Sequence, residues 1–385
     1  MVFRTALLIS LLLCSLLRLA EAGDRPSVVF LSPDDSKFWH MVADFMAEVA
    51  GDLELELDVR FDRDRHRFSY LQMAEQVLGR EDRPDYLVIM CKENVTTQML
   101  RQANELGVKV FTFNTDVPET TQAAVGMPRE VLPNWIGHMG PDNAAGGRTL
   151  SVLLERQARS LNLGEPGQPL PVLALSGTRD SSAATDRNRG LETTIDGEDS
   201  KLLQLVYADW SAQLAQDKVS VLLRRYPEAA AIWSASDGMA LGAIEAANRA
   251  GKHPGRDLVV GGFDWEPLAL EAIRRGELYV SLGRHFMGGG LSLLLLHDYH
   301  HGYDFAAGAP TATLSYQFEP AMLGNVDKVE RILDPARWQA LNFQHFSRAL
   351  NAGQREIPFS ADGLMDQFSG ALAQQKPPGE LAGHR

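Results

Sequence analysis

The chain is poor in cysteine, in positive charge and in long apolar runs. Its 385 residues include two cysteines. Cys14 falls in an apolar leader, behind Leu11-Leu12-Leu13 rather than the small residue a lipidation site requires. Cys91 then stands alone, so no internal disulfide can form. It is expected to pack as a small apolar residue after Tyr86-Leu87-Val88-Ile89-Met90. A net charge of −13 argues against nucleic acid, whose phosphates demand clustered Lys and Arg. The apolar run from Thr5 to Leu17 is too short for the ~20 residues of a membrane span, and Arg18 interrupts it. With Arg4 before it and Ala20-Glu21-Ala22 after it, this run reads as a secretory signal cleaved after Ala22. The stretch Leu291 to Leu296 is likewise short and is expected to form a buried helix. Nucleophile elbow, phosphate loop and zinc-ligand cluster are all missing. His138, His285 and the group His297, His300, His301 are the best metal candidates, the last group reading as an exposed helix end. No metal and no cofactor are expected.

What is present is a regular alternation. Short apolar β-type runs are each followed by an amphipathic stretch, first over Ser27–Leu31, Leu53–Val59, Tyr86–Met90 and Val108–Phe113. The pattern restarts with Pro171–Leu175, Leu202–Tyr207, Ala230–Trp233 and Leu258–Gly262. Strands alternating with helices at this spacing predict α/β architecture: two doubly wound parallel-sheet lobes. A mature length of 363 residues suits two cores better than one. The expected division is a signal peptide over 1–22, a first lobe over 25–140 plus 285–312, a second over 141–284 plus 313–350, and a C-terminal extension over 351–385. Pro377, Pro378 and Gly379 predict a partly disordered tail. Asp327 to Leu350 reads as two helices, with Pro335 in the first turn of the second.

In open parallel sheets, ligands bind outside the carboxyl ends of the strands. The residues there mix carboxylates, guanidiniums, amides, hydroxyls and aromatic rings. Ser36, Phe38 and Trp39 follow the first strand, and Asn114 follows the fourth. Arg187, Trp210, Ser236, Asp237 and Asp264 follow strands of the second unit, and Arg284 follows a further strand, Leu278 to Leu282. Planar charged groups can form paired hydrogen bonds to adjacent hydroxyls, and rings can cover apolar C–H faces. That combination suits a sugar. Each residue also has a structural alternative: Phe38 and Trp39 as core, Asp237 as a helix cap, Arg187 and Arg284 as surface charges. Which of Arg179, Arg187 and Arg189 faces the pocket stays open.

Ser236-Asp237-Gly238-Met239-Ala240-Leu241-Gly242-Ala243, followed by Val260-Gly261-Gly262-Phe263-Asp264, resembles the ribose- and galactose-binding type I periplasmic binding proteins. Phe38-Trp39, Asn114, Asp142-Asn143 to Gly146-Gly147 and Arg187-Asn188-Arg189-Gly190 fall in that family's order. The resemblance implies a monomeric periplasmic solute-binding protein, not an enzyme. It would close two lobes about a three-strand hinge, with crossings near 139–142, 283–286 and 311–315. By the same resemblance, Ser36, Phe38 and Trp39 line the first lobe, Trp210 stacks on the ligand, and Asp264 binds it. Asn114 stands where the ribose binders have Asp, Ser236 where they have Asn, and Arg284 where Gln is usual, which leans away from plain ribose. The order Trp39, Asn114, Arg187, Ser236-Asp237, Arg284 is also similar to the autoinducer-2 receptor of the same superfamily. The implied ligand is a sugar, a sugar acid or an autoinducer-like molecule. The implied partner is an ABC permease in sugar transport, or a sensor kinase in chemoreception. A secreted carbohydrate enzyme is the alternative from another class.

Overall fold

The computed structural model describes residues 25–195, 199–351 and 360–375. The predicted signal segment 1–22 and the tail beyond Gln375 lie outside them. Two six-stranded sheets form the framework. The first contains β1 (Ser27–Ser32), β2 (Glu56–Phe61), β3 (Tyr86–Ile89), β4 (Lys109–Phe113), β5 (Trp135–Pro141) and β11 (Thr313–Tyr316). Their order is β11-β5-β4-β3-β1-β2, all parallel. The second contains β6 (Leu170–Ser176), β7 (Ser200–Tyr207), β8 (Ala231–Ser234), β9 (Val259–Phe263), β10 (Val280–Gly283) and β12 (Glu319–Ala321). It runs β12-β10-β9-β8-β6-β7, and β12 alone is antiparallel to its neighbour. These are the two doubly wound lobes that the sequence predicts.

Alternation along the strands explains the layers. In β1, Val28 and Phe30 join one core, while Val29 and Leu31 join another on the opposite face. Successive strand side chains point to opposite faces, so a strand apolar at every position must be covered twice. One face of the first sheet carries α1 (Lys37–Asp52) and α10 (Met287–His300). These two helices approach closely because of Gly288-Gly289-Gly290. A Cβ on Gly289 would come 2.7 Å from Val42 Cγ1, and one on Gly290 would come 2.7 Å from Phe45 Cε1. The opposite face carries α2 (Arg67–Leu78) and α3 (Thr96–Glu105), and α4 (Glu119–Val125) packs beside α3. Cys91 is buried in the first lobe.

The second lobe is flanked by α5 (Asn143–Ser160), α6 (Ser182–Ile195), α7 (Ala212–Arg225), α8 (Asp237–Arg249) and α9 (Pro267–Arg274). The chain crosses between sheets after β5, after β10 and after β11. The last crossing falls at Gln317-Phe318, not at 311–315, because Thr313–Tyr316 completes the first sheet by pairing with β5. The segment over 326–346 belongs to neither lobe alone. Its α11 (Val326–Leu333) is tied to α9 by ion pairs from Arg274 to Asp327 and Glu330. Its α12 (Pro335–Ala340) and the 3-10 turn Phe343–Phe346 return to α1, where Phe45 meets Trp338 and Phe343 at 5.3 and 5.4 Å. A last helix, α13 (Ala361–Gln374), packs on α10, α11 and β11. Among the described residues, no helix is long and apolar enough to cross a membrane.

Candidate functional site

In each sheet the strand order reverses beside the first strand of its unit: β2-β1-β3 in one lobe and β7-β6-β8 in the other. Such switch points leave a crevice at the carboxyl ends of the strands. The crevices face each other across the gap between lobes, and the lobes touch at the rim. The Glu93 N–H donates to the Asp180 carbonyl at 3.4 Å, and Arg67 lies 3.8 Å from the Asp180 carboxylate.

Arg187 stands at the centre of the second lobe's contribution. It projects from α6 and is 3% exposed. Its Nε donates to Asn143 Oδ1 at 2.9 Å and its Nη1 to the Ala235 carbonyl at 2.6 Å. The guanidinium lies over the Phe263 ring at 4.3 Å and near Phe318 at 5.2 Å. Asp264 faces it at 3.8 Å, an ion-pair distance too long for a hydrogen bond. Asp264 directly follows β9 with φ of 117°, a backbone strain characteristic of functional loops. Burial pushes its carboxyl upward, and Arg187 opposes that shift.

His285 completes the group. Burial, and secondly Arg187, hold its imidazole well below the ordinary range, so it is neutral. Its Nε2 lies 3.2 Å from Asp264 Oδ1. Among the described residues its Nδ1 is buried and has no hydrogen-bond partner. The imidazole stacks on Phe38 of the first lobe, with ring centroids 4.7 Å apart, and meets the edge of Phe318. Trp39 meets Phe38 edge-on at 5.1 Å. The buried Asn114 has a φ of 69° and an Oδ1 that also lacks a partner. The centre therefore combines apolar ring faces, one guanidinium, one carboxyl group and an unpartnered imidazole nitrogen.

The other expected residues have different surroundings. Ser236 caps α8, its hydroxyl accepting from the Met239 N–H at 3.3 Å. Asp237 pins neighbouring elements: its Oδ2 accepts from Ser281 Oγ at 2.6 Å and from the Glu266 N–H at 3.0 Å. Burial, and secondly Asp264, push its carboxyl well up. Ser36 precedes α1, and its N–H donates to Asp34 Oδ1. Trp210 lies flat against Gly177, where a Cβ would come 2.0 Å from its ring, and its Nε1 donates to Thr178 Oγ1. Arg284, 4% exposed, is committed elsewhere: it is held by Asp362 and Asp366 of α13, and its Nε donates to the Gln317 carbonyl at 2.6 Å. His297 is no exposed helix end, being buried against Asp298 and Ser347. Among the described residues, no three His, Cys, Asp or Glu side chains are grouped to hold a metal.

Beside this centre lies an interlobe cavity of ≈ 560 Å³. Asp116, Met127 and His138 line it from one lobe, and Arg179, Ser182 and Arg189 from the other. Of the three candidate arginines, Arg179 and Arg189 face this cavity, whereas Arg187 faces the buried carboxylates. None of the ten expected residues lines it. His285 and Phe318 are the members of the centre that the strand-end reasoning left out. His285 directly follows Arg284, and a scan of both side chains at each crossing would have found it.

Facing crevices, two mostly parallel sheets and three crossings define a two-lobed α/β ligand-binding protein. A model of the periplasmic binding protein domain matches residues 27–285, and the chain belongs to that family. A periplasmic sugar-binding protein from Pseudomonas fluorescens is 32% identical, with a TM-score of 0.77 over 89% of this chain and 99% of that one. The ribose import binding protein of Salmonella typhimurium is 25% identical over 213 residues, covering 51% of this chain and 68% of its own length. A galactofuranose-binding protein of known structure is 16% identical, with a TM-score of 0.67, and shares the fold.

Proposed function

We propose that this chain captures a neutral, hydroxyl-rich ligand, a sugar, between its lobes and presents it to the permease of an ABC transporter in the periplasm. The observation that carries the reading is the Arg187–Asp264–His285 group set between Phe38 and Trp39 on one side and Phe263 and Phe318 on the other. A pyranose or furanose offers hydroxyl edges and C–H faces, and this centre has a partner for each. The unpartnered His285 Nδ1 and Asn114 Oδ1 suit ligand hydroxyls, which both donate and accept.

Charge supports a neutral ligand over a sugar acid or a borate-bearing autoinducer. Arg284 is neutralised by α13, and Arg187 already faces Asp264. At this centre little positive charge is left over for an anion; Arg179 and Arg189 face the cavity beside it. The relatives named for ribose and for D-ribose/D-allose suit the same chemistry. Capture works by population shift: a ligand touching both lobes favours the closed state by its differential affinity for it.

The test is isothermal titration of the mature protein against neutral pentoses and hexoses, the matching sugar acids and autoinducer-2. Stoichiometric binding of a neutral sugar that is recovered unaltered is expected. Binding of only anionic ligands would overturn the neutral reading, and turnover of the sugar would overturn the binding reading.

A further inference from the structure

The back of the hinge carries a second buried arginine with a different set of partners. Arg284 lies in the crossing from β10 to α10, at a φ of 73°. Its guanidinium is gripped by Asp362 and Asp366, one turn apart on α13. The same Asp362 accepts from the Gln317 N–H at 2.9 Å, and the Gln317 carbonyl accepts from Arg284 Nε. Gln317 sits in the crossing from β11 to β12. One helix thus fastens two of the three crossings to each other through a closed ring of charge-assisted hydrogen bonds.

That helix is also anchored to both lobes. Phe368 packs on Phe343 and Phe346 at 5.5 and 4.7 Å and on Phe45 of α1 at 6.2 Å. From the side of the second lobe, Arg331 of α11 donates to the Ala373 carbonyl. Arg284 directly precedes His285, whose ring lies against Phe38 and Asp264. A shift of the crossing would therefore move the imidazole on which the two lobes meet.

We propose that α13 is a strap that belongs to the binding machinery: through Asp362 and Asp366 it holds Arg284, sets the interlobe angle, and so positions His285 for ligand. Arg284, Asp362 and Asp366 are positioning residues and need not touch the ligand. The proposal rests on the hinge-closure reading, but its primary test needs no ligand. Spin labels placed through Glu105→Cys and Lys201→Cys, exposed sites in the first and second lobes, report the interlobe distance in the intact mature chain. The double variant Asp362→Asn/Asp366→Asn is expected to shift that distribution to longer distances and broaden it. Where a sugar binds, its release is expected to speed up roughly tenfold while association changes little. Ser360→Ala, which removes the hydroxyl that caps α13 through the Gly363 N–H, should move the distribution the same way by less. A folded double variant with the parent's distribution overturns the proposal. If the double variant does not fold, an unchanged distribution in Ser360→Ala does so. Should no sugar bind the parent, the functional reading fails while the label distances still decide this one.

Discussion

The two buried arginines, Arg187 in the cleft and Arg284 at a crossing, differ in what a buried charge does. Arg187 and Arg284 are 3% and 4% exposed, and each faces carboxylates. Arg284 is saturated, held by Asp362, Asp366 and the Gln317 carbonyl. Arg187 has one carboxylate at 3.8 Å, and that carboxylate is itself lifted by burial. A fully satisfied buried ion group is a structural device, because removing one member leaves the others buried without compensation. An incompletely satisfied one has capacity left for a ligand. The contrast lies in partners, which residue type and burial alone do not distinguish.

Truncating each arginine region should separate the two roles. Arg284→Ala is expected to cost about 3–5 kcal/mol of stability, since breaking a buried pair strands its partners. Urea unfolding checks this, and a loss below 1 kcal/mol would put Arg284 on a par with a surface charge. Asp264→Ala should instead weaken sugar binding by about 100-fold or more, roughly 2.7 kcal/mol, as read by titration calorimetry.

Next to the ligand centre, Glu266 tests the electrostatics. Burial, and then the charge of Asp264, push its carboxyl up to about 7 from an ordinary 4.5. Between those pH values the folded state keeps a proton that the unfolded chain has released, so stability falls as pH rises through the window. Glu266→Gln should remove that fall, gaining about 1–2 kcal/mol above pH 7 and nothing below pH 4. Parallel pH profiles for variant and parent would contradict the assignment. The smallest effect belongs to Ser236→Ala, a lost helix cap worth about 1 kcal/mol. If Ser236 contacted the sugar as well, affinity would fall with it; a stability loss at unchanged affinity is the outcome its geometry predicts.

Much of the fold was legible because several strands, such as Tyr-Leu-Val-Ile in β3 and Val-Val-Phe-Leu within β1, are near-continuous apolar runs, as strands of a doubly covered parallel sheet are. β5 was not. Trp-Ile-Gly-His-Met-Gly-Pro breaks the apolar run with two glycines, and at Gly137 the glycine is required because Phe305 and Phe111 occupy the place of a side chain. α13 was missed although Ala361, Leu364, Met365, Phe368 and Leu372 repeat at helical spacing behind the Ser360 cap.

Sequence by itself determined the family, the two-lobed α/β architecture and the loops around the cleft, because apolar periodicity and short motifs are local properties. Phe38, Trp39, Arg187 and Asp264 could be named as candidates from their places after strands. Only the tertiary structure decided that Arg187 faces Asp264 while Arg284 is bound by a helix nearly 80 residues further along the chain. It also decided that His285 stands between the lobes. Those outcomes depend on contacts between residues far apart in sequence, and no local pattern encodes which carboxylate a buried arginine will meet.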